Sequence, residues 1–358
     1  MRLGVDIRWM LGRYRGMGRF SRQLIAPVHS SVVALAPNGI NSSEWPCISQ
    51  GRGFFPWWEQ KVLPNICRQE KLDFLLCRYN TGPLTSLGTT RSIAVIHDLI
   101  FMQPWSVLPP SMSIYQTLGR IYRRKIVPEF AKRADIILTV SNFTKCQLIE
   151  SVGLCGEQIH VIPNAISDSW FEPTLSIESR KPYIFSVAGE APSKNVSGLL
   201  QAFSISLPKI ADDISLKIAG IKSKYHKVFK QQAENLGIAN RVELLGFLSD
   251  DELRNYYKEA RLFVFASLFE GFGIPLLEAM ACGTPIACSN TTSMPEVIGS
   301  CGVTFDPSSA EDISEKICFL WNSKKQSALV SESGVVRVRN YSESAIAHSM
   351  DSFWRQLS

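Results

Sequence analysis

Two glutamates, Glu270 and Glu278, bracket the seven residues Gly271-Phe272-Gly273-Ile274-Pro-Leu-Leu277. The apolar run Leu262-Phe-Val-Phe-Ala-Ser267 before them reads as a buried strand. A Gly-rich turn follows, and then an apolar helix that stops at Gly283. Such a turn sets backbone N–H groups at a helix N-terminus, where unpaired donors and the dipole favour a phosphate. Carboxylates cannot hold a phosphate, but they accept hydrogen bonds from hydroxyls. Phosphate donors flanked by two hydroxyl acceptors suit a sugar nucleotide. The spacing alone favours a solvated helix Glu plus a turn Glu; the intervening Gly-Phe-Gly-Ile-Pro and the preceding strand reverse that preference.

Three further groups have side chains suited to the same chemistry. Gly16-Met-Gly18-Arg19-Phe follows the first strand after a short loop; its glycines let backbone approach a phosphate, and Arg19 adds charge. A dinucleotide fingerprint needs a third glycine placed directly after the strand. Ser21 stands there instead, so a nicotinamide site is poorly supported. His97-Asp98 ends the apolar run Ser92–Ile96, where a polar pair lies at a strand tip, and His offers donor and acceptor nitrogens at neutral pH. Pro192-Ser-Lys194-Asn195 follows another apolar run, and a Lys at the mouth of such a turn can neutralise a leaving diphosphate. The bland alternatives are a flexible loop, a structural His and a solvated Lys.

The elements that must position these groups alternate strand and helix twice. Leu3–Ile7, Ser31–Ala36, Phe74–Cys77, Ser92–Ile96 and Asp135–Val140 read as short buried strands, with helices near Arg19–Ile25, Ser113–Ala134 and Asn142–Ser151. A second set follows: strands at Tyr183–Val187, Ser215–Ala219, Val242–Leu244, Leu262–Phe265 and Pro285–Ala287, with helices at Val196–Leu207, Lys224–Leu236, Asp250–Ala260 and near Pro275–Ala281. Alternation of this kind implies parallel βαβ units. Asp168–Pro182 has no periodicity and reads as a linker. The expected architecture is therefore α/β, with two doubly wound Rossmann-like domains facing a cleft and ligands at the carboxyl ends of the strands. We place the domains at 1–172 and 173–342, followed by an amphipathic terminal helix over 343–358.

Composition sets outer limits. The chain has 358 residues, 45% of them apolar and 20% charged, which is ample for two cores. No apolar run approaches a membrane span. The nine cysteines have no zinc-like spacing, and the start of the chain lacks an apolar signal region, so a cytoplasmic protein with reduced thiols is expected. Residues 1–175 carry 19 Lys and Arg against 12 Asp and Glu; the remainder carry 19 against 20. This surplus is too diffuse for a nucleic-acid reader and suits an anionic acceptor or an anionic membrane face. No G-x-x-x-x-G-K-[S/T] occurs, which excludes a P-loop kinase.

The setting Glu-Gly-Phe-Gly-Ile-Pro-Leu-Leu-Glu-Ala resembles the signature of family 4 of the glycosyltransferases, which are retaining nucleotide-sugar enzymes of the two-domain GT-B fold. Gly16–Phe20, Val95–Pro104, Val140–Thr144, Val161–Ala165, Leu244–Phe247 and Ser293–Val297 resemble further segments of that family. The resemblance implies that Glu278 accepts from the ribose and that Glu270 holds the donor sugar. Gly271, Phe272, Gly273, Ile274 and Lys194 would bind the diphosphate and stabilise it as it leaves. Gly16 and Gly18 would lie over the diphosphate, and His97 would touch the transferred sugar from the facing domain. Phe247 would border the base, with Arg19 and Asp98 on the acceptor or phosphate side. The terminal helix would cross back onto the first domain. No metal and no resident cofactor is implied.

The family's second basic residue near Lys194 is missing here, because Ser193 precedes it and no Arg lies between Lys181 and Lys194. Resemblance to bacterial mannosyltransferases of surface-polysaccharide and O-antigen assembly makes GDP-mannose the first donor and a glycan or polyprenyl-diphosphate-linked acceptor its partner, at the inner face of the plasma membrane. Trp57–Gln60 and Tyr122–Lys125 are candidates for touching such an acceptor; packing and a solvated helix face are their alternatives. A UDP-sugar donor, a non-catalytic nucleotide- or carbohydrate-binding protein, and a nicotinamide oxidoreductase are the rival functions.

Overall fold

The computed structural model describes residues 1–8, 16–210 and 213–357. These form two compact units, one of Met1–Met102, Tyr115–Ala165 and Glu343–Ser358, the other of Gln103–Ile114 and Ile166–Ser342. Most of the loop between the first strand and Gly16 lies outside the described residues.

The first unit is built on strands β1 (Leu3–Asp6), β2 (Val32–Ala36), β3 (Cys47–Ser49), β4 (Phe74–Cys77), β5 (Arg91–Ile96), β6 (Ile136–Thr139) and β7 (Ile159–Val161), in the order β3-β2-β1-β4-β5-β6-β7. Every pairing is parallel. All residues of β1, β2 and β4 are buried, which is why β2 and β4 read as unbroken apolar runs rather than alternating ones. Trp58, Ile66, Leu75, Val127 and Phe130 belong to the core beside them. The terminal helix Glu343–Arg355 belongs to this unit, and its Trp354 indole donates to the Leu24 carbonyl at 2.6 Å.

The second unit carries β8 (Lys181–Val187), β9 (Ser215–Ala219), β10 (Val242–Gly246), β11 (Ala260–Phe265), β12 (Ile286–Ser289) and β13 (Val303–Phe305), in the order β10-β9-β8-β11-β12-β13. Its core includes Phe203, Leu216, Ile218, Val264, Ile317 and Trp321. In each sheet the winding reverses once, between β1 and β4 in the first and between β8 and β11 in the second. Loops leaving two such strands diverge, and the crevice between them is where open parallel sheets bind ligands.

Several local expectations need correction. The strands β3, β7 and β13, three residues each, and the helix Leu63–Glu70 had no periodic signal long enough to announce them. Helix Asp250–Glu259 is capped by Ser249, the residue before the expected start: the Ser249 hydroxyl accepts from the Glu252 N–H while the Glu252 carboxylate accepts in return, a reciprocal capping box. The stretch expected to be a linker is pinned. Trp170 is buried edge-on against Tyr257 and under Arg254, and Glu172 pairs with Arg254 at 2.7 Å and Lys258 at 3.2 Å. Buried Arg180 donates to the carbonyls of Lys258 (2.8 Å), Ala260 (3.1 Å), Cys282 (3.2 Å) and Gly283 (2.7 Å). Single large anchors hold this segment, and they leave no periodicity to read.

Candidate functional site

In the second unit the chemistry gathers at the switch point. Lys194 ends the 3-10 turn Pro192–Lys194 on the loop after β8, and Glu270 lies on the loop after β11. The loops are tied by the Leu268 N–H donating to the Ser193 carbonyl at 2.7 Å. Lys194 Nζ and Glu270 Oε1 meet at 2.6 Å, both partly shielded. The loop after β12 supports this turn. Thr292 Oγ1 accepts from the Glu270 N–H at 3.2 Å, and the buried Ser293 hydroxyl lies within donating distance of the Glu270 and Phe272 carbonyls. Ser293 was legible only as part of a family-like stretch; Thr292, with φ 59, gave no signal.

Gly273 carries φ 104, in the left-handed region, and begins the helix Ile274–Ala281 with Pro275 in its first turn. A Cβ here would also meet the Leu276 side chain at 3.1 Å. The backbone N–H groups at such a helix start carry the positive end of the dipole and favour an anion; here Pro275 offers none and the Leu276 N–H donates to the Gly273 carbonyl at 2.9 Å, so the Gly-rich turn is the part left to meet a ligand. Glu278, one turn further in, is buried and accepts from the Tyr257 hydroxyl at 3.0 Å. Tyr257 itself is locked against Phe185 and Phe263, so the Glu278 carboxylate has a fixed bearing. Phe247 projects, exposed, just beyond β10. Lys222, beyond β9, pairs with the buried Glu190 at 2.9 Å on the same edge of the sheet.

In the first unit His97 is buried at the tip of β5. Its Nε2 lies 3.0 Å from the Arg78 carbonyl, which can only accept; the ring proton therefore sits on Nε2. That tautomer leaves Nδ1 as an acceptor, with no protein partner among the described residues. Burial drives the pKa down to about 4, so the imidazole is neutral at physiological pH. Asn80 holds the position: with φ 68 it accepts the His97 N–H on Oδ1 at 2.7 Å and donates from Nδ2 to the Asp98 carbonyl at 3.3 Å. Asp98 uses Oδ1 to accept the Ile100 N–H at 3.1 Å.

Gly18 and Arg19 are not loop residues. Gly16 carries φ 59, and helix Met17–Ile25 starts directly after it. That helix reaches His97 through Phe20, whose ring meets the imidazole edge-on at 5.4 Å. The structure thus brings Lys194, Glu270, Glu278 and Gly271–Ile274 together in one unit and His97, Asp98, Gly16 and Arg19 in the other. Asn80, Arg78 and Tyr257 were not foreseen; each acts through backbone or a neighbouring side chain and has no sequence signature of its own.

Comparison with known proteins follows the same division. A model described as Glycosyltransferase Family 4 matches residues 8–170, and one described as Glycosyl transferases group 1 matches residues 171–334. O-antigen chain mannosyltransferase B of Escherichia coli is 30% identical over 263 residues, 70% of this chain and 67% of the relative. The serotype-specific mannosyltransferase WbdA of Escherichia coli is 31% identical over 240 residues, 62% of this chain but only 28% of that larger protein. HepE of Anabaena, crystallised with UDP and glucose, superposes with a TM-score of 0.75 at 16% identity, over 99% of each chain. With two Rossmann-like units on the GT-B plan, each matched by its own family model, this chain belongs to glycosyltransferase family 4.

Proposed function

We propose that the protein transfers a hexose from a nucleotide diphosphate sugar to a glycan or polyprenyl-diphosphate-linked acceptor, with retention at the anomeric carbon. One observation carries this. Loops from the two strands flanking a switch point deliver a Lys–Glu pair at 2.6 Å to a helix N-terminus, with a second buried Glu behind it. In this mechanism the bond between the anomeric carbon and the diphosphate oxygen breaks with its electron pair on the diphosphate, the acceptor hydroxyl oxygen bonds to that carbon on the same face, and its proton passes to the departing diphosphate oxygen. Lys194 and the Gly271–Ile274 N–H groups offset that charge, in a setting where preorganised donors are worth several kcal/mol. Release of Lys194 to the phosphate frees Glu270 to accept from sugar hydroxyls. Glu278 accepts from the ribose, and His97 accepts a hydroxyl on Nδ1. A paired-carboxylate covalent route needs two carboxylates flanking the scissile bond; Glu278, held by Tyr257, is assigned to the ribose instead.

Likeness to mannosyltransferases makes GDP-mannose the first donor. The UDP held by HepE keeps a UDP-sugar as the alternative. The nucleotide sugar is a substrate in this proposal, and no resident cofactor enters it. The second basic residue usual beside Lys194 is missing from its loop, and Lys222, on the same edge, is paired with Glu190. That pairing favours a second possibility, a binding protein without turnover. Calorimetric titration with GDP, UDP and NAD tests the proposal: one diphosphate binds, and Glu278→Ala weakens it by roughly 1–3 kcal/mol. Binding of NAD alone, or unchanged affinity in the variant, refutes the donor site. A donor screen against membrane lipid extracts then separates transfer from mere binding.

A further inference from the structure

A diphosphate carries more than one negative charge, and the loops at the switch point of the second unit do not balance it by themselves. The loop after β8, from Val187 to Asn195, holds one cation, Lys194, and one anion, Glu190. The loop after β11, from Ala266 to Gly273, holds Glu270 alone, and the loop from Asn290 to Met294 after β12 adds no charge. Two acids therefore face one base, and Ser193, beside Lys194, is buried and uncharged. An anion held here needs a cation from elsewhere.

The neighbouring loop offers one. Strands β8 and β9 pair in parallel as far as Val187 and Ala219, so the loops that follow leave side by side, about 5 Å apart at their start. Glu190 lies three residues beyond Val187 and Lys222 three beyond Ala219, and Lys222 Nζ meets Glu190 Oε1 at 2.9 Å. Close backbone approach makes this meeting possible. Gly220 carries φ 99, and a Cβ there would meet the Ala188 carbonyl oxygen at 2.6 Å. The Lys222 backbone is pinned on both sides: His226 Nε2 donates to the carbonyl of buried Ile221 at 2.9 Å, and the Tyr225 N–H donates to the Lys222 carbonyl at 2.9 Å.

We infer that Lys222 is the second cation of the donor site, donating to the diphosphate while Glu190 holds it at that edge of the sheet. The two side chains divide the work by exposure, 6% for Glu190 and 46% for Lys222. The buried carboxylate is the fixed end, and the ammonium on its flexible stem is the end a ligand can reach. Among the described residues Glu190 is the one acid paired with Lys222, which occupies one of three N–H groups and leaves two. Lys194 is held in the same way, by Glu270 at 2.6 Å. The inference rests on the donor site proposed above and adds to it a residue from a third loop, which supplies the charge that Ser193 does not.

Lys222→Met alone strands a buried carboxylate and risks the fold. The test therefore compares Glu190→Gln, which removes the pair and keeps the cation, with Glu190→Gln combined with Lys222→Met, which removes both. The two proteins differ only at an exposed position, so their folding is matched. Calorimetry on the full-length chain reads GDP and UDP directly, and guanosine and uridine by displacement. For the diphosphate that wild type binds, the double variant binds about tenfold more weakly than Glu190→Gln, while the corresponding nucleoside stays within about twofold. Equal diphosphate affinity in the two variants shows that Lys222 only neutralises Glu190. An equal loss for the nucleoside shows that it acts on the base or the ribose. Either result overturns the inference. Lys194→Met separates this reading from the one beneath it. If that variant loses the diphosphate while the double variant matches Glu190→Gln, the donor site stands and Lys222 leaves it. If neither variant weakens the diphosphate, the proposed donor site itself is wrong.

Discussion

Asn80 spends a left-handed backbone conformation on fixing one histidine, and this is the residue-scale feature with the clearest consequences. His97→Ala and Asn80→Ala are expected to lower turnover by about tenfold or more, the range of a lost transition-state hydrogen bond, with nucleotide affinity within about threefold of wild type. Steady-state kinetics beside calorimetry decides it, and equal turnover in both variants removes His97 from the reaction. The burial that keeps the imidazole neutral also links it to stability. A folded pKa of about 4 lies below the unfolded value of 6.5, so the folded state resists protonation. Stability is full above pH 6.5 and falls as pH drops toward 4, by about 2 kcal/mol between pH 7.5 and pH 5. Urea unfolding at the two pH values measures this, and in His97→Gln that part of the loss disappears. His97 was visible in the sequence because it ends an apolar run. Asn80 was not, because a residue that acts by accepting a backbone N–H across a sheet has no spacing to recognise.

At the scale of elements, the turn at Gly271–Gly273 was the most legible part of the chain. Strand, glycines, proline and apolar helix each have a local physical cause, and the four agree. The stretch from Gly16 onward was half legible. Its second glycine suggested a longer loop, whereas the helix Met17–Ile25 absorbs Gly18 and Arg19. The segment before β8 was misread because Trp170 and Arg180 secure it through isolated long-range contacts. Gly273→Val places a branched side chain at φ 104 and against Leu276. Nucleotide affinity is expected to fall by roughly 1–3 kcal/mol while circular dichroism stays native. Wild-type affinity in this variant means the diphosphate does not sit on that turn.

For the whole molecule, two separate cores imply two unfolding events that respond differently to ligand. If the proposed donor site on β8, β11 and the Gly273 helix is right, a nucleotide diphosphate is expected to stabilise the second unit by about 2.7 kcal/mol at a hundredfold excess over Kd and to raise its transition by roughly 5–10 °C. Scanning calorimetry with the bound nucleotide reports this, and a shift confined to the first unit's transition contradicts the assignment. The alternation of elements foretold two sheets, but the edge strands of three residues lay below the length at which periodicity speaks. Arg180 has one more implication. Its guanidinium gathers the carbonyls of Lys258, Ala260, Cys282 and Gly283, among others, at the amino edge of the second sheet, the end away from the strand tips that carry Lys194 and Glu270. Lys cannot span that fork. Arg180→Lys is expected to cost roughly 3 kcal/mol, or about 10 °C in this unit, while kcat and KM in the cold stay at wild-type values. The residue is thus a thermostat separate from the chemistry: changing it yields a protein that works when cool and fails when warm, a conditional allele written into a single side chain.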